Sequence, residues 1–152
     1  MTNKYLFLII LSVYLFSCKE KIVFEESKPI SKKIWEISDT LEFETTINDT
    51  SNFYNIFIHI DAQENFLTNN IWLFVKSESP SGNILKDTVM FYLSDAQGKW
   101  FGKKQGETIN NKFIYKAHIR FPEKGIYKFY LQHGMRENDL PRVSSVGISI
   151  EK

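Results

Sequence analysis

The feature that most constrains this chain is a period-two alternation of apolar and polar residues, recurring in short runs along most of its length. In Leu41–Ile47, one face carries Leu41, Phe43, Thr45 and Ile47 and the other carries Glu42, Glu44 and Thr46. Successive strand side chains point to opposite faces, so such a run buries one side and wets the other. Phe53–Ile60 puts Tyr54, Ile56, Ile58 and Ile60 against Phe53, Asn55, Phe57 and His59, the pattern of a central strand. Ile71–Val75 is apolar throughout and reads as a sandwich-core strand covered on both faces. Ile84–Leu93 alternates again, with Val89, Phe91 and Leu93 inward. Phe113, Tyr115, Ala117, Ile119 and Phe121 share the inward face of the next run, Tyr127, Phe129 and Leu131 that of the following one, and Val143–Ile150 supplies a last strand.

Turn-forming residues separate these runs: 48–52, Ser79-Pro80-Ser81-Gly82-Asn83 and Pro122-Glu123-Lys124-Gly125. Helical periodicity is scarce. Seven to eight short strands at this spacing fit an all-β fold, an antiparallel β-sandwich of immunoglobulin-like or jelly-roll-like type. The aromatic fraction of 15% suits half-buried strands. Phe121–Tyr127 matches the approach to a late sandwich strand whose tyrosine hydroxyl ties back to the backbone at the corner. Residues 34–152 are expected to form this one domain, with Trp35 carried into it by 34–37, and 18–33 to serve as a tether and first edge segment.

The N-terminus reads as an export leader, Met1–Ser17. A short basic start precedes Tyr5–Phe16, in which only Ser12 is clearly polar. Twelve such residues are too few to span a bilayer, which takes roughly 20, and match a signal-peptide core. Leu15-Phe16-Ser17-Cys18 resembles a bacterial lipobox, which makes Cys18, the only cysteine, the acylated first residue of the mature chain. Three acyl chains would hold the protein firmly, since two already suffice. Lys19 after the cysteine favours the outer membrane, with the periplasmic leaflet preferred to the cell surface. With that cysteine acylated, neither a disulfide nor thiol catalysis is available.

Composition excludes further classes. Nineteen basic against 18 acidic residues leave +1, so there is no electrostatic footprint for nucleic acid. The chain lacks Gly-x-Ser-x-Gly, His-Glu-x-x-His and a phosphate loop, and no cofactor is expected. The histidines are His59, His118 and His133; a metal site from His118 and His133 on adjacent strands is the weak exception to a purely structural role. Gly98-Lys99-Trp100-Phe101-Gly102-Lys103-Lys104-Gln105-Gly106 is the most distinctive segment. Here Phe101 is expected to plug one end of the sandwich, while Trp100 is either a second plug or an exposed partner-binding anchor between Gly98 and Gly102. Gly134 breaks the next-to-last long run, where a bulge would turn Met135 and Arg136 outward to a partner. Trp35, Trp72 and Trp100 on a sandwich scaffold also suggest a glycan-binding module.

Six blocks in order along the mature chain resemble the GldH family of gliding-motility lipoproteins of the Bacteroidota. They are Phe53-Tyr54-Asn55; Asn70-Ile71-Trp72-Leu73-Phe74; Asp87-Thr88-Val89; Leu93-Ser94-Asp95 running into Gly98-Lys99-Trp100-Phe101-Gly102; Phe121-Pro122 through Gly125-Ile126-Tyr127; and Met135-Arg136 before Val146-Gly147-Ile148. The pattern departs at Asp61-Ala62 and at Phe66-Leu67-Thr68. The resemblance implies a non-enzymatic outer-membrane lipoprotein needed for gliding, in a machinery that overlaps with type IX secretion. Its implied partners are other gliding lipoproteins such as GldJ and envelope components, and it implies neither cofactor nor catalytic residue.

Overall fold

A computed structural model describes residues 21–152. Eight long strands form the body: β1 (Ile22–Pro29), β3 (Leu41–Ile47), β4 (Tyr54–Gln63), β5 (Asn70–Glu78), β6 (Ile84–Tyr92), β8 (Thr108–Ile119), β9 (Gly125–His133) and β11 (Val143–Glu151). Three short ones, β2 (Ile34–Glu36), β7 (Lys103–Gln105) and β10 (Asp139–Pro141), extend or brace them. All pairings are antiparallel, in a sheet ordered β1-β11-β4-β8-β7, a facing sheet ordered β3-β9-β5-β6, and a ribbon of β10 with β2. Counting the long strands alone, the orders are 1-8-3-6 and 2-7-4-5, the double Greek key of a jelly roll. An immunoglobulin sandwich would group its first, second, fifth and fourth strands, so that alternative falls. Among the described residues no helix is long and apolar enough to cross a membrane.

Alternation builds the core as expected for β3, whose Leu41, Phe43 and Ile47 are buried, and for β4, whose Ile58 and Ile60 are fully enclosed. Each such isoleucine contributes about 1.5–3 kcal/mol. Strand β5 differs from its expectation. Ile71, Leu73 and Val75 point into the core, but Trp72 and Phe74 stand outside, 42% and 46% exposed. Strand β8 also departs: its register against β4 shifts between Tyr54 and Phe57, His118 takes a φ of +52°, and Ala117 lies exposed. A β-bulge of this kind moves side chains off a strict two-residue period. The segment expected to act partly as tether enters the sheet at once, because β1 pairs with β11 from Ile22 onward. The expected corner is present: Tyr127 Oη donates to the Glu123 carbonyl at 3.0 Å and accepts from the Glu123 N–H at 3.3 Å.

Antiparallel order gives the sandwich two distinct ends. At one end lie the loops 48–53, 79–83 and 120–124 together with Lys21 and Lys152, whose backbones exchange hydrogen bonds of 3.3 and 3.0 Å. The loops 64–69, 93–102 and 134–138, and the β7–β8 hairpin, crowd the other.

Candidate functional site

Gly98, Trp100, Gly102, Met135 and Arg136 all belong to the end opposite Lys21, whereas Cys18 lies outside the described residues. The glycine loop is built on Asp95. Its Oδ1 accepts the N–H groups of Gln97 at 2.9 Å and Lys99 at 2.8 Å, and its carbonyl accepts from Gly98 at 3.1 Å. Gly98 supplies the φ of +80° that closes this turn, a conformation costly for any residue with a Cβ. Gly102 has a different role: a Cβ there would come within 2.6 Å of the Asn110 carbonyl and closer still to the Asn111 side-chain oxygen. Asn111 is itself buried, its amide donating to the Ile60 and Ile109 carbonyls at 3.0 and 3.1 Å.

The structure reverses the place expected for Phe101 and decides between the two left open for Trp100. Trp100 forms a bridge to Ser94 and packs half-buried on the core, while Phe101 is 63% exposed. The Phe101 N–H is fixed on the Leu93 carbonyl at 2.9 Å, which holds the chain so that consecutive side chains turn opposite ways.

Met135 and Arg136 part company as well. The Gly134 N–H donates to the Trp72 carbonyl at 2.7 Å, and the Trp72 N–H approaches Met135 Sδ at 3.3 Å, so Met135 folds onto the core margin rather than outward. Gly134 has no side chain because the Phe74 ring lies over it, 3.1 Å from where a Cβ would stand. Arg136 does project into solvent, and among the described residues no carboxylate pairs with it.

Beside this end, the outer face of the β3-β9-β5-β6 sheet carries a groove of about 470 Å³, lined by Phe74, Tyr130, Gln132, Thr40 and Thr88. The Lys76 ammonium covers the Tyr130 ring at 3.6 Å. Sequence reasoning missed this aromatic face because 71–75 is apolar throughout. The usable signal was the order within the run: aliphatic Ile71, Leu73 and Val75 alternate with aromatic Trp72 and Phe74.

Polar groups elsewhere brace the fold. His59 Nε2 lies 2.8 Å from Ser149 Oγ, and Ser149 is fully buried in the sheet. Burial pushes the His59 pKa down. Beside it, Lys112 meets the buried Glu151 carboxylate at 2.6 Å. Asp87 on β6 accepts from Tyr115 at 2.6 Å and pairs with Lys116 at 2.8 Å on β8, clasping the two sheets along their open side. Those two partners hold the carboxyl below its usual range, Lys116 having the larger effect, while burial raises the Tyr115 phenol.

His118 and His133 do not share a metal site. They lie in different sheets, His118 exposed and stacked on Phe53 at 3.7 Å, His133 fully buried edge-on to Trp35 at 5.4 Å. Among the described residues no cluster of three potential metal ligands forms. Trp35 is fully enclosed, with its indole N–H on the Asp39 carbonyl at 2.8 Å, which leaves Trp72 as the tryptophan with a largely open face.

A jelly roll of this size defines the class, a small antiparallel β-sandwich. Comparison with known proteins makes the assignment specific. Residues 22–150 match the family model described as GldH lipoprotein, and the chain belongs to that family. It is 30% identical over 154 residues to a gliding motility lipoprotein GldH homolog of Christiangramia forsetii, covering 96% of this chain and 94% of the relative. To the gliding motility lipoprotein GldH of Flavobacterium johnsoniae it is 29% identical over 152 residues, covering 95% and 94%.

Proposed function

We propose that this chain is a non-catalytic lipoprotein of the outer membrane, acylated at Cys18, that serves gliding motility by binding or stabilising other envelope components. The observation that carries this reading is the extent of the similarity: it spans 22–150, the whole jelly roll, and the relatives named for gliding align over 95% or more of the chain. Among the described residues the His59–Ser149 contact has its hydroxyl fully buried, which suits a structural scaffold for binding. The end opposite Lys21 offers the surface, with Phe101 63% and Leu67 72% exposed and Arg136 unpaired among the described residues. Exposed aromatic and arginine side chains are the residue types that dominate interfaces.

The test is deletion of the gene in its host, followed by complementation with the native chain, Cys18→Ala, and a Phe101→Ser/Arg136→Glu double variant. Single-cell gliding should be lost on deletion, restored by the native chain, and not restored by either variant. Affinity capture from cross-linked cells should then recover gliding lipoproteins, GldJ among those expected, with the native chain and less of them with the folded double variant. Gliding that persists after deletion would overturn the reading.

A second reading, glycan binding, is favoured by one observation, the open Trp72 and Phe74 rings on the face that carries the groove. Quenching of fluorescence by polysaccharide in the native chain, absent in Trp72→Phe, would support it; identical flat titrations would remove it.

A further inference from the structure

Only Lys19 and Glu20 stand between Cys18 and Lys21, where the chain is already locked to Lys152. An extended chain spans at most about 3.3–3.6 Å per residue, so Lys21 lies within about 11 Å of the Cys18 backbone. That distance is close to the screening length of about 8–10 Å in physiological salt. If Cys18 is acylated, as read above, the end of the jelly roll carrying Lys21 has no room to leave the headgroup region.

What this end displays fits such a position. Phe53 is 41% exposed, its ring stacked face to face on the His118 imidazole at 3.7 Å, with the Arg120 guanidinium 4.2 Å from the ring centre. Arg120, Lys124 and Lys21 are exposed and, among the described residues, pair with no carboxylate. The acidic groups of the same loops are engaged within the protein. Asp49 is held by Ser51, Asn52 and Lys152, and Glu123 by the Ser81 hydroxyl at 2.6 Å. An apolar cleft of about 450 Å³ between the sheets opens here too, floored by Ile56, Phe121 and Phe129 with Leu85 at its rim. Exposed aromatic rings beside unpaired cations are the composition of surfaces that sit at a membrane interface and meet anionic headgroups.

We propose that this end of the jelly roll is a membrane-docking face, with Phe53 seated at the interface and Arg120, Lys124 and Lys21 over the phosphates of anionic phospholipid. Docking fixes the orientation of the domain, so that Phe101 and Arg136 point away from the bilayer. The face acts together with the anchor: acyl chains supply attachment, and the cations and Phe53 supply direction.

The experiment uses the full acylated protein, its acylation verified by intact mass, in vesicles of phosphatidylcholine with about one-third phosphatidylglycerol, made with brominated acyl chains that quench tryptophan on contact. Reporter variants carry Phe53→Trp or, as an independent second site in the same loops, Asn52→Trp; Leu67→Trp marks the opposite end. The added tryptophan at 53 or 52 should lose at least about twofold more of its emission than the one at 67. The difference should shrink in Arg120→Glu/Lys124→Glu, in neutral phosphatidylcholine vesicles, and in high salt. Equal quenching at both ends, or stronger quenching at 67, in a verified acylated protein overturns the docking face while leaving the anchor intact. A chain recovered from its host without acyl groups would instead overturn the anchor, and the docking face with it.

Discussion

His133 carries an imidazole into a fully enclosed site, edge-on to Trp35, where neither ring nitrogen makes a well-formed hydrogen bond. Burial holds its pKa below the ordinary value, outweighing the backbone of Asn138 and Trp35, which favours the charged ring. In the unfolded chain the ring takes its proton near pH 6.5, so the unfolded state binds more protons once the pH falls below that value. Stability should therefore be complete above about pH 6.5 and decline on acidification, and the half-buried His59 adds a loss of the same sign. Urea midpoints measured at about pH 7.5 and pH 5.5 should differ for the native chain and differ less for His133→Phe, which keeps the ring contact. That variant should also be more stable at neutral pH by about 1 kcal/mol, since it removes unpaired buried polar atoms. The loop aromatics make a second contrast. Trp100→Ala should cost about 2 kcal/mol because it empties a half-buried position on the core, whereas Phe101→Ala should stay within about 0.5 kcal/mol and weaken partner capture. The sequence favoured Phe101 as the plug and left Trp100 open, and the structure seats Trp100 instead. They are neighbours in one glycine-punctuated loop, and which of them turns inward depends on the Phe101 N–H bond to Leu93 and the Ser94 bridge, contacts invisible to a period count.

Strands were the most legible element because alternation is a direct consequence of a half-buried pleat. It found β3, β4 and β9 with their buried faces, while β11 was found as a strand without a face assigned to it. It failed where a second influence acted. In β5 the outward positions are aromatic rather than polar, so 71–75 resembled a run covered on both sides. In β8 the bulge shifted the register, and Ala117 left the face that a strict alternation assigned to it. Neither a bulge nor an exposed aromatic leaves a local mark that composition alone can weigh. The corner before β9 was legible because proline, glycine and tyrosine at that spacing carry a mechanism of their own. Tyr127→Phe keeps the packing of the ring between Phe121 and the sheet and deletes the hydroxyl bonds to Glu123. Its unfolding free energy should fall by about 1 kcal/mol with no change in the overall fold, as followed by denaturation and far-ultraviolet dichroism. A larger loss would mean that the corner also sets the path of the β8–β9 loop beside Pro80, which leaves no room for a Cβ at Gly125.

At the scale of the molecule, the jelly-roll order decides where function can sit, because it puts Lys21, Lys152 and three loops at one pole and the long loops at the other. Sequence reading grouped Gly98, Trp100, Gly102, Met135 and Arg136 as one candidate surface without any means of placing them. The topology brings them to the same pole, yet only Arg136 of these side chains stands clear of the core and open, joined by Phe101 and Leu67. A short tether then becomes a functional dimension. If Cys18 is acylated and the near pole docks as proposed, the two residues between Cys18 and Lys21 hold the far pole about the length of the sandwich from the lipid surface. Inserting a flexible glycine-serine segment of about 16 residues between Lys19 and Glu20 adds a mean reach of about 20–24 Å and frees the orientation. If partners meet the far pole at that height, the insertion should leave acylation and urea midpoint unchanged while reducing both cross-linking to gliding lipoproteins and single-cell gliding. A shorter insertion of about 4 residues, adding about 10–12 Å, should produce an intermediate loss. Full gliding with the long insertion would mean that partners engage the domain independently of its height. Affinity for the far pole, rather than its placement above the membrane, would then be what the motility apparatus requires.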